Sequence, residues 1–317
     1  MPSYSSVGLR PDRLLRQASE LRRVHSDPVA AVAARLERVR ELDEQLARAL
    51  GHEVGGLDML DVGPGQLLTQ LLYFARRNRV VGIDTDVVVT GFSPRQYATM
   101  LRRNGLQRML KTTGRKALGV DRRHRQELLR QLGLDKMPAV DVRVQRAEEM
   151  TFADASFDVV YALAVFQHLA RPEDVLRQMV RVLRPGGVLY LDFILYTSKT
   201  GAHDLRLLEA GDGALPPWAH LRPEHRHEVA ESAYLNRLRL PEWRELFERV
   251  IPGAELSGRQ AEAARVRAEA EELRHAGELT EYDLEELCTT KVALLWSKPA
   301  SSQSTGGASS SLTVTSS

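Results

Sequence analysis

The chain has almost no cysteine, no long apolar run and few aromatic residues. The single cysteine, Cys288, excludes an internal disulfide framework, and no cluster of cysteine and histidine has the spacing of a zinc site. No run of about 18 apolar residues occurs, so no membrane span is expected. Residues 1–6 lack the apolar core of a secretion signal. These absences predict a cytoplasmic protein without a metal site.

The residues that are present fit a globular protein with one main domain. The 317 residues are enough to bury a full core, and 43% of them are hydrophobic while 27% are charged. The formal net charge is only +2. The high arginine and alanine content indicates a GC-rich bacterial genome.

The most informative stretch is a short apolar run that ends in Asp61 and a Gly63-Pro64-Gly65 turn. Apolar residues with helical spacing follow it. A strand, a glycine turn and a helix in this order hold nucleotide-like ligands at the edge of a parallel sheet, because glycine lets backbone N–H groups approach the ligand. About 20 residues further on, a second apolar run ends in Asp84, where a carboxylate can accept hydrogen bonds from ribose hydroxyls.

Apolar runs alternate with helical patterns along the rest of the chain, which predicts parallel crossovers. We predict a Rossmann-like open α/β sheet that is mostly parallel, has an antiparallel last strand and carries helices on both faces. A helical cap precedes the sheet, and a helical insert follows the second strand. The predicted strands are 57–62, 79–84, 141–144, 157–163, 188–193, 255–257 and 289–297. The predicted helices are 67–77, 172–183, 241–250 and most of 259–287.

Composition divides the chain into three parts. Residues 1–50 are predicted to be a cap of two amphipathic helices that separate near Asp27-Pro28. Residues 51–297 form the main domain, with an arginine-rich insert at 94–133 and an irregular excursion at 195–240. The Ser-rich tail, 298–317, is predicted to be disordered. Gly186-Gly187 is interpreted as the stop of the helix at 172–183.

Five motifs resemble, in order and at the proper spacing, those of class I S-adenosylmethionine-dependent methyltransferases of the type-11 (ubiquinone-biosynthesis-like) subgroup. The resemblance covers roughly residues 55–195. The motifs are Asp61 to Gly65, Asp84, 147–160, 165–169 and 181–187.

The resemblance implies S-adenosylmethionine as the cofactor and gives each motif a role. Asp61 would engage the ammonium group of the cofactor and Asp84 its ribose. The remaining implied contacts are Gly63, Pro64 and Gly65 with the methionine half, Ala147 and Glu148 with adenine, and Leu163 and Ala164 beside the methyl group. The family often has an acidic residue at the position of Arg146, so we expect a backbone contact to adenine from Ala147 or Glu148.

Two histidines are candidates for a general base. His168 follows the fourth strand on the ligand side of the sheet, and it can equally be a packed histidine bonded to a backbone carbonyl. His203 is followed by Asp204, and a nearby carboxylate raises imidazole basicity, although the pair can equally be a polar loop. The aromatic residues Trp218, Tyr196 and Tyr234 either line an acceptor pocket or belong to the core.

The predicted reaction is transfer of a methyl group to a hydroxyl of a small or carrier-linked acceptor, such as a sugar or secondary metabolite. Clustered arginines in the insert would suit a phosphorylated acceptor, or they form a solvated face. RNA or protein methylation is an alternative, although few aromatic residues are available to stack on bases. A catalytically silent cofactor-binding subunit is another alternative, and a nicotinamide-dependent oxidoreductase is a more distant one. The oligomeric state is open.

Overall fold

The computed structural model describes residues 27–86, 119–207, 214–231, 233–259 and 263–300. The first predicted cap helix, most of the basic insert and the tail from residue 301 lie outside these residues. The boundaries proposed for the three parts of the chain therefore remain predictions.

The described residues contain one sheet of seven strands in the order β3-β2-β1-β4-β5-β7-β6. Strands β1 to β5 are parallel, whereas β7 runs antiparallel to both of its neighbours. The predicted open sheet with an antiparallel last strand is thus confirmed. The strands are β1 Asp58–Val62, β2 Arg79–Asp84, β3 Asp141–Val144, β4 Phe157–Leu163, β5 Leu183–Ile194, β6 Glu255–Arg259 and β7 Lys291–Ser297.

Helices cover both faces of this sheet. In the described residues they are α1 Pro28–Leu50, α2 Thr69–Phe74, α3 Val120–Leu132, α4 Pro172–Val182, α5 Leu240–Val250, α6 Ala263–His275 and α7 Leu284–Cys288. Short 3-10 turns lie at Ala147–Glu149, Phe166–His168, Leu205–Leu207 and Arg226–Glu228. None of the helices described here has the length and apolar character needed to cross a membrane.

Helix α1 is the second of the two predicted cap helices. The Asp27 side chain accepts a hydrogen bond from the Ala30 amide at 3.0 Å, proline occupies the first turn, and Gly51 ends the helix with a φ of +76°. Its apolar residues recur at helical spacing and are buried against α2, α3 and one face of the sheet; they are Val32, Leu36, Val39, Leu42 and Leu46. Burial of each such side chain contributes roughly 1.5–3 kcal/mol.

The opposite face of the sheet packs against α4 and α5. An aromatic group joins the two layers, because the Phe193 ring lies 4.4 Å from Trp243 and Trp243 stacks on Phe247 at 5.6 Å. A separate apolar cluster joins α6 and α7 to the excursion after β5, with Trp218 fully buried in it. The site is therefore built on a sheet that is covered on both faces.

The glycine turn leads into a shorter helix than predicted. The expected helix was 67–77, whereas α2 spans only Thr69–Phe74. Leu68 adopts a left-handed φ of 56° immediately before the first helical residue. This conformation interrupts a helical path, so residues 67 and 68 extend the loop at the edge of the sheet.

The interpretation of Gly186-Gly187 as a helix stop is wrong. Helix α4 ends at Val182, and β5 begins at Leu183, five residues before the predicted start of this strand. A Cβ atom on Gly187 would lie 2.7 Å from the Asp158 carbonyl oxygen on β4. Glycine is needed here because two strands approach closely.

Gly187→Ala is expected to lower the free energy of unfolding by about 1–3 kcal/mol, since the added methyl group overlaps backbone atoms of the neighbouring strand. Urea denaturation measures the change. Gly55→Ala is the matched control, because a Cβ atom there has no neighbour within 4 Å and φ is not left-handed. Equal stability of the two variants would contradict the close approach.

Candidate functional site

The carboxyl ends of the parallel strands open into a cavity of about 800 Å³. The cavity lies where β1 and β4 are neighbours although they are not consecutive, which is where open α/β sheets bind ligands. Eight of the nine predicted cofactor residues line it, namely Gly63, Pro64, Gly65, Asp84, Ala147, Glu148, Leu163 and Ala164. The ninth, Asp61, is buried and is not part of the lining.

The turn after β1 needs both of its glycines. Gly63 has a φ of +78°, and its amide donates to the Ile83 carbonyl at 2.8 Å. A Cβ atom on Gly63 would lie 2.6 Å from the Val165 side chain, and Gly65 also has a left-handed φ of +65°. The turn thus presents backbone atoms to the cavity without intervening side chains.

Asp61 is a fully buried carboxylate at the carboxyl end of β1. Neither of its oxygens has a hydrogen-bond partner of normal geometry among the described residues, and the same holds for the adjacent Tyr161 hydroxyl. Burial raises the pKa of Asp61 to about 8, and the nearby Tyr161 and Gln70 side chains oppose that rise without cancelling it. A cation placed close to this carboxylate would compensate its burial.

Asp84 lies at the end of β2. Because β1 lies between β2 and β4, Asp84 and the residues after β4 are on opposite sides of the glycine turn. Its carboxylate accepts a hydrogen bond from the Asp86 amide at 2.8 Å, which fixes the side chain at the cavity wall. The short turn that carries Ala147 and Glu148 follows β3 on the same side. Arg146 pairs with Glu148 at 3.2 Å, so the basic residue that departs from the family pattern is held by its neighbour.

The residues after β4 are held by a carboxylate on β5. Ala164 has a left-handed φ of 55°, and its amide donates both to the Asp192 carbonyl and to Asp192 Oδ1, each at 2.9 Å. Lys291 forms an ion pair with the other oxygen of this carboxylate at 2.5 Å. The role of Asp192 has no signal in the sequence, because a single acidic residue in a buried strand does not indicate a partner such as Ala164, 28 residues away.

The structure brings the two candidate bases together. The rings of His168 and His203 meet edge to face at 5.1 Å, but only His168 lines the cavity. His168 Nδ1 lies 2.8 Å from the Tyr234 carbonyl, which can only accept, so Nδ1 carries the proton and Nε2 is the basic nitrogen. Burial lowers the pKa of His168. The pKa of His203 is lowered to about 4 by burial and, to a smaller extent, by the charge of the neighbouring His168.

The Asp204 carboxylate binds Arg206 and the amide of Ala230, and it is not among the groups that set the pKa of His203. The expected increase in the basicity of His203 is therefore not found. His203 itself has a left-handed φ of 56°. Of the two histidines, His168 is the one that the fold places beside the cavity.

The three aromatic candidates lie outside the lining of the cavity. Trp218 is fully buried and donates to the Thr197 carbonyl at 3.1 Å, and the Tyr196 ring packs against His220 at 5.1 Å. Tyr234 contributes only its carbonyl to His168. Within the part of the chain that the structure describes, no group of three histidine, cysteine or acidic residues is arranged to hold a metal ion.

The family described as "Methyltransferase domain", type 11, matches residues 103–191 of the chain, which include β3, β4 and the start of β5. This match to part of the chain identifies a type-11 methyltransferase domain within it, as the resemblance of the motifs implies. The motifs at 147–160, 165–169 and 181–187 lie inside the matched residues, whereas Asp61 and Asp84 precede them.

Two curated relatives are similar to parts of the chain. The 27-O-demethylrifamycin SV methyltransferase of Amycolatopsis mediterranei (strain S699) is 39% identical over 112 residues, or 32% of this chain and 41% of the relative. The ubiquinone biosynthesis O-methyltransferase of Parvibaculum lavamentivorans is 32% identical over 81 residues, or 26% of this chain and 32% of the relative. The chain thus spans well under half the length of either protein.

Solved structures resemble the fold at low sequence identity. The phosphoethanolamine N-methyltransferase 2 of Haemonchus contortus, in complex with S-adenosyl-L-methionine, is 16% identical with a TM-score of 0.43 over 82% of this chain and 52% of that chain. An S-adenosylmethionine-dependent methyltransferase of Mesorhizobium loti is also 16% identical, with a TM-score of 0.41 over 79% and 94%.

Asp61→Asn is expected to change how stability depends on pH. The pKa of about 8 in the folded protein lies above the ordinary value of 3.8, so folding favours the protonated carboxyl group. The ligand-free protein therefore loses stability as pH rises from about 4 to about 8, and this group has no further effect outside that window. The asparagine of the variant cannot ionise, so the free energy of unfolding of the variant does not fall in this way. Its excess over that of the unchanged protein therefore grows as pH rises, to the order of a few kcal/mol.

Urea denaturation of both proteins between pH 4 and pH 8 measures this advantage. Asp141→Asn is the control, since Asp141 is an exposed carboxylate at the start of β3, away from the cavity lining. A difference between Asp61→Asn and the unchanged protein that stays constant with pH would show that Asp61 is not protonated in the folded protein.

Proposed function

We propose that the protein transfers the methyl group of S-adenosylmethionine to a hydroxyl of a small or carrier-linked molecule by direct in-line transfer. The observation that carries the proposal is the buried Asp61 carboxylate beneath the Gly63–Gly65 turn, which has no hydrogen-bond partner of normal geometry among the described residues. An ammonium group is the kind of ligand that compensates such a charge. A pyrophosphate cannot supply the positive charge that would stabilise the ionised carboxylate, which argues against a nicotinamide dinucleotide.

The cofactor fits the residues that surround the cavity. The glycine turn leaves backbone atoms open to the methionine half, and Asp61 would neutralise the ammonium group from below. Asp84, at the end of the next strand, would accept hydrogen bonds from the ribose hydroxyls. Ala147 and Glu148 would border adenine, and Leu163 and Ala164 would border the methyl group.

When bound, S-adenosylmethionine supplies an electrophilic methyl group on its sulfonium. The protein's own task is to hold the acceptor oxygen in line, and such positioning accounts for roughly 7–11 kcal/mol of barrier reduction in well-aligned systems. Asp192 holds the Ala164 amide through two hydrogen bonds, one accepted by its carboxylate and one by its backbone carbonyl, which gives this wall of the cavity a fixed position. The turn is therefore suited to positioning rather than to proton transfer.

Proton removal falls to His168 in this proposal. Its Nδ1 is occupied by the Tyr234 carbonyl, which fixes the ring and leaves Nε2 as the basic atom. Burial lowers its pKa, so the imidazole is neutral near pH 7 and able to accept the hydroxyl proton as the new bond forms. His203 packs against this ring and would support its orientation.

The choice of oxygen as acceptor atom rests on two supports. The named relatives are an O-demethylrifamycin methyltransferase and a ubiquinone biosynthesis O-methyltransferase. In addition, a hydroxyl must lose a proton during transfer, and a neutral histidine at the cavity wall meets that need.

Isothermal titration calorimetry with S-adenosylmethionine, S-adenosylhomocysteine and NAD tests the cofactor. Binding of both sulfur nucleotides without NAD is expected, and a screen of hydroxylated, phosphorylated and carrier-linked acceptors then follows S-adenosylhomocysteine formation. Binding without turnover in the screen and in cell extract would favour a silent subunit. Turnover that disappears after nuclease treatment of the extract would favour RNA.

Asp84→Ala is expected to weaken S-adenosylhomocysteine binding by about 1–3 kcal/mol, the scale of lost hydrogen bonds at a charged group. Calorimetry measures the dissociation constant. Asp141→Ala, which removes an exposed carboxylate one strand away, should leave the affinity unchanged. An unchanged affinity in folded Asp84→Ala would rule out the assigned ribose contact.

His168→Gln is expected to lower kcat by about 10²–10⁴-fold while leaving S-adenosylhomocysteine affinity intact, because it removes the basic nitrogen. With an accepted hydroxyl substrate, kcat of the unchanged protein should rise with pH through a pKa below 6.5 and then level off. The variant should lack this rise, whereas exposed His52→Gln should keep it. A pH profile that survives in His168→Gln would remove His168 from proton transfer.

A further inference from the structure

The cavity extends well beyond the cofactor residues. Its lining runs from Asp84 at the end of β2 to Lys291 at the start of β7, which lies four strands away in the sheet. At about 4.8 Å between neighbouring strands, that span is roughly 19 Å. The cofactor contacts proposed above occupy the side formed by β1 to β4. The remaining side, formed by β5, β7, the end of β6 and α1, is left for the acceptor.

Helix α1 turns one face toward this second side. Arg35, Arg38, Leu42 and Gln45 recur at helical spacing, and all four line the cavity. Glu41, on the turn that follows Arg38, forms an ion pair with Arg259 at 2.6 Å, and Arg259 ends β6. This pair fixes the arginine-bearing turns of α1 at the β6–β7 end of the cavity.

The two ends of the cavity carry opposite charge. The lining near β2 and β3 has more acidic than basic side chains, namely Asp84, Asp86 and Glu148 against Arg146. The lining near α1 and β7 has more basic than acidic ones, namely Arg35, Arg38, Arg259 and Lys291 against Glu41 and Asp192. The cationic end is separate from the carboxylates assigned to the cofactor.

Two of these cations have no carboxylate partner among the described residues. Glu41 pairs with Arg259 and Asp192 with Lys291, which accounts for both acidic groups at this end. Half-buried Arg35 donates only to the Ala31 carbonyl, at 3.3 Å. Burial and the nearby charge of Arg38 lower the pKa of Arg35, so two like charges share this end of the cavity.

We propose that the methyl acceptor carries an oxyanion, a carboxylate or a phosphate, and that Arg35 and Arg38 bind it at the α1 end of the cavity. A guanidinium group binds either oxyanion through two parallel hydrogen bonds, and a bound anion relieves the repulsion between the two arginines. The inference rests on the proposed function, because it assigns the other side of the cavity to the cofactor.

The test uses the full chain saturated with S-adenosylhomocysteine. Inorganic phosphate and benzoate are titrated separately, and thermal denaturation and calorimetry follow their binding. Stabilisation by phosphate identifies a phosphorylated acceptor, and stabilisation by benzoate identifies a carboxylate acceptor. The double variant Arg35→Gln, Arg38→Gln should bind the effective anion at least about tenfold more weakly, since each lost charge-assisted bond is worth that much.

Arg40→Gln is the matched control on the same helix. Arg40 is exposed, pairs with Glu37 and does not line the cavity, so its variant should bind the anion as the unchanged chain does. The double variant should keep its S-adenosylhomocysteine affinity within about twofold, because the arginines lie away from the assigned cofactor contacts.

Three results would overturn the inference while leaving the methyltransferase proposal intact. The first is that neither anion binds to the complex, and the second is that the double variant binds the anion normally. The third is that the double variant loses S-adenosylhomocysteine affinity but keeps that for 5′-methylthioadenosine, which lacks the amino-acid half. That pattern would assign the arginines to the carboxylate of the cofactor. Failure of the unchanged chain to bind S-adenosylhomocysteine would instead refute the proposed function.

Discussion

The buried Asp61 carboxylate sets the main electrostatic constraint on this protein. It lies at the end of β1 with no hydrogen-bond partner of normal geometry in the described part of the chain, and burial raises its pKa to about 8. An uncompensated buried charge is costly, and either protonation of the carboxyl group or a cation placed beside it would remove that cost. The Gly63–Gly65 turn follows from the same need, since only a turn without side chains lets a ligand come close to that carboxylate.

The strand order determines which residues can meet around this carboxylate. Because β1 lies between β2 and β4, the ends of three strands far apart in sequence converge on one crevice. Asp84 approaches from one side and the Leu163–Ala164 turn from the other. The second turn is held by a carboxylate on β5, which in turn pairs with Lys291 on β7. The antiparallel strand therefore contributes to the position of the Leu163–Ala164 turn, although it pairs with neither β1 nor β4 in the sheet.

The sequence predicted the sheet, and the grouping of the motif residues around one cavity, because those signals are local. An apolar run, an acidic residue and a glycine turn occupy consecutive positions, so Asp61 and Asp84 could be placed without long-range information. Features that depend on contacts between distant segments could not be predicted. Gly187 resembled a helix stop, but glycine is required there because a side chain would collide with the Asp158 carbonyl on the neighbouring strand. The sequence left open whether Trp218 lines a pocket or belongs to the core, and the packing of α6 and α7 shows that it is core.

The same distinction explains why the acceptor end of the cavity has no sequence signature. Its cations come from α1 and, more than 200 residues further along the chain, from the end of β6 and the start of β7. The arginine-rich insert drew attention in the sequence because its charges are consecutive, whereas Arg35 and Arg38 belong to an ordinary amphipathic helix. Only the structure shows that Glu41 pairs with Arg259 and that Asp192 pairs with Lys291. Because both carboxylates are paired in this way, the two α1 guanidinium groups have no carboxylate partner among the described residues. Charge that is nearly balanced over the whole chain, at +2, is thus unevenly distributed within the cavity at the carboxyl ends of the strands.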